Sequence, residues 1–135
     1  YESIDRSYVF NGFNDHKFTV ASALDWDNRA EVAAIPVPRD VLVKPAATAV
    51  FGEKKSGPTY AHRFYVDLFE SPARPLDVLT HNRHDGGGNH AFADGSAKLI
   101  EPFGSLAPEN LWGLRESTRR ELTYSANQGD QDGFF

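Results

Sequence analysis

The chain has 135 residues, a length that suits one hydrophobic core and hence a single domain over residues 1–135. Its 40% apolar and 13% aromatic content exclude a disordered polymer, while a formal charge of −5, with no run of Lys or Arg longer than two, leaves no electrostatic footprint for nucleic acid. The absence of cysteine excludes disulfides, a thiol nucleophile and thiolate-bound zinc.

No stretch approaches the roughly 20 apolar residues of a membrane helix. The chain has no Met and opens on Tyr1-Glu2-Ser3 without a signal-like segment. We therefore expect a trimmed or processed chain whose upstream part holds a membrane anchor.

From the N-terminus onward, Gly and Pro recur every few to a dozen residues, which is the cadence of short strands and turns. Between these breaks, β-branched and aromatic residues predict strands at 18–23, 48–53, 61–69, 89–93 and 96–100, paired into an antiparallel sheet. Within 63–69 the alternation puts Phe64, Val66 and Leu68 on one face and Tyr65, Asp67 and Phe69 on the other. One helix is predicted, with Pro108 in its first turn and Leu111, Trp112, Leu114 and Arg115 leading through to Leu122. Residues 125–133 are polar and acidic and are expected at the surface. The predicted class is α+β, an antiparallel sheet with a short C-terminal helix.

Residues 80–100 hold the densest chemistry. His81, His84 and His90 fall within ten residues, close to Asp85 and Asp94, so a metal site has to be weighed. Their spacing follows no ligand pattern, and surface or hydrogen-bonded histidines are the simpler reading. Calcium would need six to eight oxygen ligands, and Asp25-Trp26-Asp27-Asn28 and Asp130-Gln131-Asp132-Gly133 are the acidic stretches that could contribute. The metal candidates are therefore His84, His90, Asp94, Asp130 and Asp132. An enzyme would use His84 or His90 with Asp94 or Asp85, but no nucleophile motif accompanies them and no catalytic residue is assigned. His16 and His62 read as structural.

Gly86-Gly87-Gly88 forms a loop without the lysine and helix of a phosphate cradle. Asp94-Gly95 between strand-like runs predicts a hairpin, with both residues at the centre of a type I′ turn.

The spacing His84, nine residues, Asp94-Gly95, together with Arg83, Asn89 and Phe92, resembles the C-terminal H-X9-DG domain of prepilin-type proteins, which are related to type II secretion pseudopilins. The run from Ser7 to Gly12 is similar to that family's Ser-Tyr-x-x-Asn-Gly segment, and the run from Lys44 to Glu53 to its Pro-x-x-Thr strand ending in an acidic residue. The resemblance implies a pilin-like head whose N-terminal anchor helix lies outside this sequence. It implies a non-enzymatic structural subunit of a type II secretion or type IV pilus-like assembly in the cell envelope, on the periplasmic or extracellular face and anchored to the inner membrane. Other pilin or pseudopilin subunits and secreted cargo would be its partners, with contact to the membrane through the anchor helix alone. Exposed aromatics would make such contacts, and Phe10, Phe13, Tyr60, Phe134 and Phe135 are the candidates. His84, Asn89, Asp94 and Gly95 would serve as structural residues, tying one loop to one hairpin. No cofactor is expected; calcium stays open through pseudopilins that hold it in a C-terminal loop, and a calcium-stabilised or glycan-binding surface module is the alternative.

Overall fold

The computed structural model describes residues 7–13, 15–17, 35–56, 65–66, 68, 78–80 and 83–123. Five strands form one mixed sheet: β1 (Tyr8–Asn11), β2 (Ala49–Glu53), β3 (Tyr65–Val66), β4 (Gly88–Phe92) and β5 (Ala97–Ile100), in the order β3-β1-β2-β4-β5. Two 3-10 turns, Arg39–Val41 and Pro45–Ala47, precede β2, and α1 (Glu116–Glu121) follows the sheet. The protein is mostly β with little helix, and no helix among the described residues is long and apolar enough to cross a membrane.

β2, β4 and β5 lie within a residue or so of their expected places, because alternating apolar residues bounded by turn formers specify them directly. Of the expected strand at 61–69 the described residues are Tyr65 and Val66, which form β3, and Leu68 beyond it; Val66 and Leu68 are buried and Tyr65 is exposed, as the alternation requires. The expected strand at 18–23 falls outside the described residues. β1 is an addition that periodicity did not reveal.

The sheet is not wholly antiparallel. β1 pairs antiparallel with β2 but parallel with β3, aligning Phe10 with Phe51 on one side and with Tyr65 on the other. A parallel neighbour needs a long crossover, and strand-by-strand patterning does not reveal which partner it joins.

On the core face Val9, Ala49, Val66, Leu68, Val78, Leu79 and Phe92 meet Phe103, Leu106 and Trp112. The last three come from residues 101–115, a run of turns that covers this face. The helix expected to start at Pro108 begins only at Glu116, and the reason is tertiary. Asn110 N donates to Arg119 O, Leu111 N to Ser105 O, Trp112 N to Asn110 Oδ1, and Leu114 and Arg115 N to the buried Asp15 Oδ2. These bonds take the amides that a helix would otherwise use, so its local propensity is overridden.

The hairpin turn also differs from expectation. Gly95 N donates to Phe92 O and Phe92 N to Ser96 O, placing Ala93 and Asp94 at the centre of the turn and Gly95 after it. Gly95 has φ +89°, and Asp94 is not among the residues of positive φ. This is the three-residue loop whose glycine sits in the left-handed region as a bulge, and not a type I′ turn.

The open face of the sheet is aromatic. Tyr65, Phe10, Phe51, Ala91 and Ala97 form a row in register across all five strands, with Tyr8 and Leu99 flanking it. Phe10 and Tyr65 lie 6.2 Å apart between ring centroids. Phe51 is 49% exposed, so among the described residues this face stays open where the opposite one is closed.

Candidate functional site

β4 carries the His84 to Gly95 motif, and its two ends are built differently. At the first end, β2 finishes on Glu53, whose flanking backbone pairs with residues 78–80: Thr80 N donates to Glu53 O and Lys55 N to Val78 O. That segment occupies the place beside β2 that β4 leaves free. It also explains Gly88, where an added Cβ would lie 2.9 Å from Thr80 O. At Gly87 the conflict is sharper, because a Cβ would collide with the Ile100 backbone carbonyl.

The Glu53 side chain is buried and accepts two hydrogen bonds, from His84 Nε2 at 2.8 Å and from the Asn89 amide at 2.7 Å. Burial pushes its carboxyl up, but the Asn89 amide, the His84 imidazole and the charge of Arg83 together outweigh that and hold it below the ordinary value. Arg83 Nη2 donates to Lys54 O and Ser56 Oγ, fastening the start of the glycine loop to the end of β2. The loop closes on itself through His84 N to Gly87 O and Gly87 N to His84 O.

At the other end, roughly 15 Å away at strand spacing, Asp94 Oδ1 accepts the Ser96 amide at 2.9 Å and the Ser96 hydroxyl at 2.6 Å. Those bonds set the Asp94 carboxyl below its ordinary value, the hydroxyl contributing most. Asp94 is exposed and its partners are local.

The candidates from sequence therefore do not gather at one point. His84 is half exposed on Glu53, His90 lies on the core face against Trp112, and Asp94 caps the hairpin tip. Asn89 acts through its backbone amide, and Gly95 through its φ. Among the described residues no group of three or more His, Cys, Asp or Glu is placed to hold a metal ion. Asp130, Asp132, Asp25, Asp27, His62 and His81 lie outside the described residues. So do Tyr60, Phe134 and Phe135, whereas Phe10 is exposed and Phe13 is half-buried.

Sequence reasoning left three anchoring residues without a role. Asn11 Nδ2 donates to Ala49 O at 2.8 Å and Trp112 O at 2.9 Å, tying β1 to β2 and to the cover. Asp15 accepts the two amides that precede α1. Arg119 is fully buried, donating to Glu109, to Gly113 O and to Ala47 O. The Asn11-Gly12 dipeptide was a usable signal. Arg119 gave none, because nothing in Arg119-Arg120 marks which of the two guanidinium groups points inward.

No family model matches this chain, and neither a curated protein nor a solved structure resembles it significantly.

Proposed function

We propose that the chain is the head of a pseudopilin-like structural subunit, a non-enzymatic component of a type II secretion or type IV pilus-like assembly in the cell envelope. The observation that carries this reading is the Glu53 clasp. The acid that ends the Pro-x-x-Thr-like strand accepts from His84, the first residue of the His…Asp-Gly motif, so two stretches that resemble prepilin-type heads are bonded to each other. Asn11, from the third such stretch, binds the same strand β2 at its other end. In this reading the motif residues serve architecture: His84 on Glu53, Asp94 on Ser96 and Gly95 in a left-handed turn.

The open aromatic face supports the same role. Tyr65, Phe10 and Phe51 lie across three adjacent strands with no charged side chain in their row, and aromatic side chains concentrate where proteins meet. In this proposal that face contacts neighbouring subunits or cargo.

Residues 1–135 hold no cysteine, so a thiol placed among them is unique within this head. The sequence upstream of Tyr1 in the source gene is expected to encode a prepilin-peptidase site and an apolar helix. Phe51→Cys in the full-length protein, treated in cells with a bifunctional reagent whose maleimide takes the thiol and whose active ester acylates a neighbouring lysine, is expected to cross-link to other envelope subunits. An upstream region without that site and helix overturns the assignment, and a Phe51→Cys variant that forms no adduct overturns the role given to the open face.

A further inference from the structure

His90 occupies an unusual position in the core. It stands on β4 opposite Gly52 of β2, and the Trp112 indole lies over Gly52 so closely that an added Cβ would be 2.9 Å from it. The His90 ring meets Trp112 edge to face at a centroid distance of 5.8 Å. Trp112 is completely buried, and its ring nitrogen donates to Ser105 Oγ at 3.2 Å. His90 thus touches the point where the 101–115 cover presses on the sheet.

The hydrogen bonds fix the state of the ring. Nδ1 lies 3.0 Å from Gly88 O, and a carbonyl only accepts, so Nδ1 carries the proton. Nε2 is buried and has no hydrogen-bond partner among the described residues. A neutral imidazole needs only to leave a lone pair unused there. An imidazolium would have to bury an additional N–H and a positive charge without an acceptor, which is among the more costly changes a core can undergo.

We propose that His90 is an acid-sensitive pin: neutral, it locks the cover segment onto the sheet, and protonation of its buried Nε2 releases that packing. The groups around it leave the penalty in place. Glu53 on β2 attracts a charge on His90, but its carboxylate is already bonded to His84 and the Asn89 amide. Lys98, the cross-strand neighbour on β5, holds its ammonium over the Phe92 ring and donates to Ala46 O. On the cover, Glu109 is engaged by Arg119 and Lys44. Burial accordingly lowers the His90 pKa, against the Gly88 hydrogen bond and the Glu53 charge, which raise it.

The sign follows from linkage. The unfolded chain takes up the proton near the ordinary value of 6.5, and the folded chain does so only at lower pH. Stability is therefore intact above 6.5 and falls as pH drops from there toward the folded value, by at most about tenfold in the unfolding constant per pH unit for one proton. Urea unfolding of the wild-type protein, His90→Phe and His90→Gln across about pH 7.5 to 5 tests this, since the other histidines cancel in the comparison. Wild type is expected to lose up to about tenfold more per pH unit below 6.5 than the variants. Parallel curves overturn the proposal. The His90 ring carbon signal in wild type gives a second readout that needs no variant. It should keep its neutral position where free histidine is half protonated, and titration at or above the ordinary value overturns the pin.

Discussion

The two ends of β4 carry the same sequence motif and solve opposite problems. At the His84 end, a buried carboxylate joins the glycine loop to β2 across 31 residues of chain, and two glycines are required because backbone fills the space where side chains would go. At the Asp94 end, the side-chain and turn bonds stay within residues 92–96, with a left-handed glycine in open space and a carboxylate bonded to Ser96, and one backbone bond from Ala93 N to Thr48 O reaches outside the hairpin. A motif can thus join a buried side-chain lock between distant segments to an exposed turn whose side-chain bonds are local. Mutations at the first end should be felt throughout the domain, and those at the second should stay near the tip.

The largest expected effect is at the tertiary end. Gly87→Ala places a Cβ against the Ile100 carbonyl, a backbone atom that moves only if β5 moves, so it should cost about 3 kcal/mol, the upper range for overpacking. Gly86→Ala, one residue away, meets no atom but must hold φ +112°, so its loss comes from backbone strain alone. Chemical denaturation of the pair separates collision from strain. If Gly86→Ala proves the more damaging, backbone crowding is not what holds this end.

Next comes the clasp. Glu53→Ala leaves the Asn89 amide without its acceptor and removes the His84 partner, a loss of about 2 kcal/mol. His84→Ala should cost much less, because its ring is half exposed and the exposed half of the pair is screened. A double-mutant cycle between them measures the coupling, and a value indistinguishable from zero would reduce the His84 contact to a surface coincidence. pH adds a second handle. The Glu53 carboxyl is depressed in the fold, so its contribution is complete above the unfolded value of 4.5 and is lost as pH falls through the lower folded value. Wild type should therefore lose stability with acid below 4.5 faster than Glu53→Ala does.

This contrast also explains what could be read in advance. β2, β4 and β5 were legible because their information is local: alternating side chains between Pro45, the glycine loop and Asp94-Gly95. β1 was not, because Tyr8-Val9-Phe10-Asn11 is only four residues long and its partners are 38 or more residues away. The turn type was missed because Asp-Gly suits the centre of one hairpin turn and the end of another, and which residue takes φ above zero depends on the register of Phe92 with Ser96. The start of α1 was missed because Asp15 and Arg119, far apart in sequence, take the bonds of residues 110–115. Of the site, the His84 and Asp94-Gly95 positions could be marked from their spacing, and an acidic residue at the end of β2 could be noted. That this acid is the partner of His84 could not be read, because hydrogen-bond pairing between distant segments leaves no periodic trace.

At the local end the effects should be smaller and ordered. Gly95→Ala has room for its methyl group and is strained only by holding φ +89° with a side chain, about 1 kcal/mol. Asp94→Ala should cost less than that, because the carboxylate is exposed and its loss leaves the Ser96 amide free to bond water. Amide exchange shows where the change is felt: Ser96 should exchange faster in Asp94→Ala, while Asn89, held by Glu53 at the far end of β4, keeps its wild-type rate. If Asn89 speeds up as much as Ser96, the two ends are not independent and the motif acts as one unit along the whole strand. If only Ser96 responds, the Asp-Gly half is a turn that any other compatible three-residue loop could replace, and the tertiary demand of the motif rests on His84, the glycines beside it and Glu53.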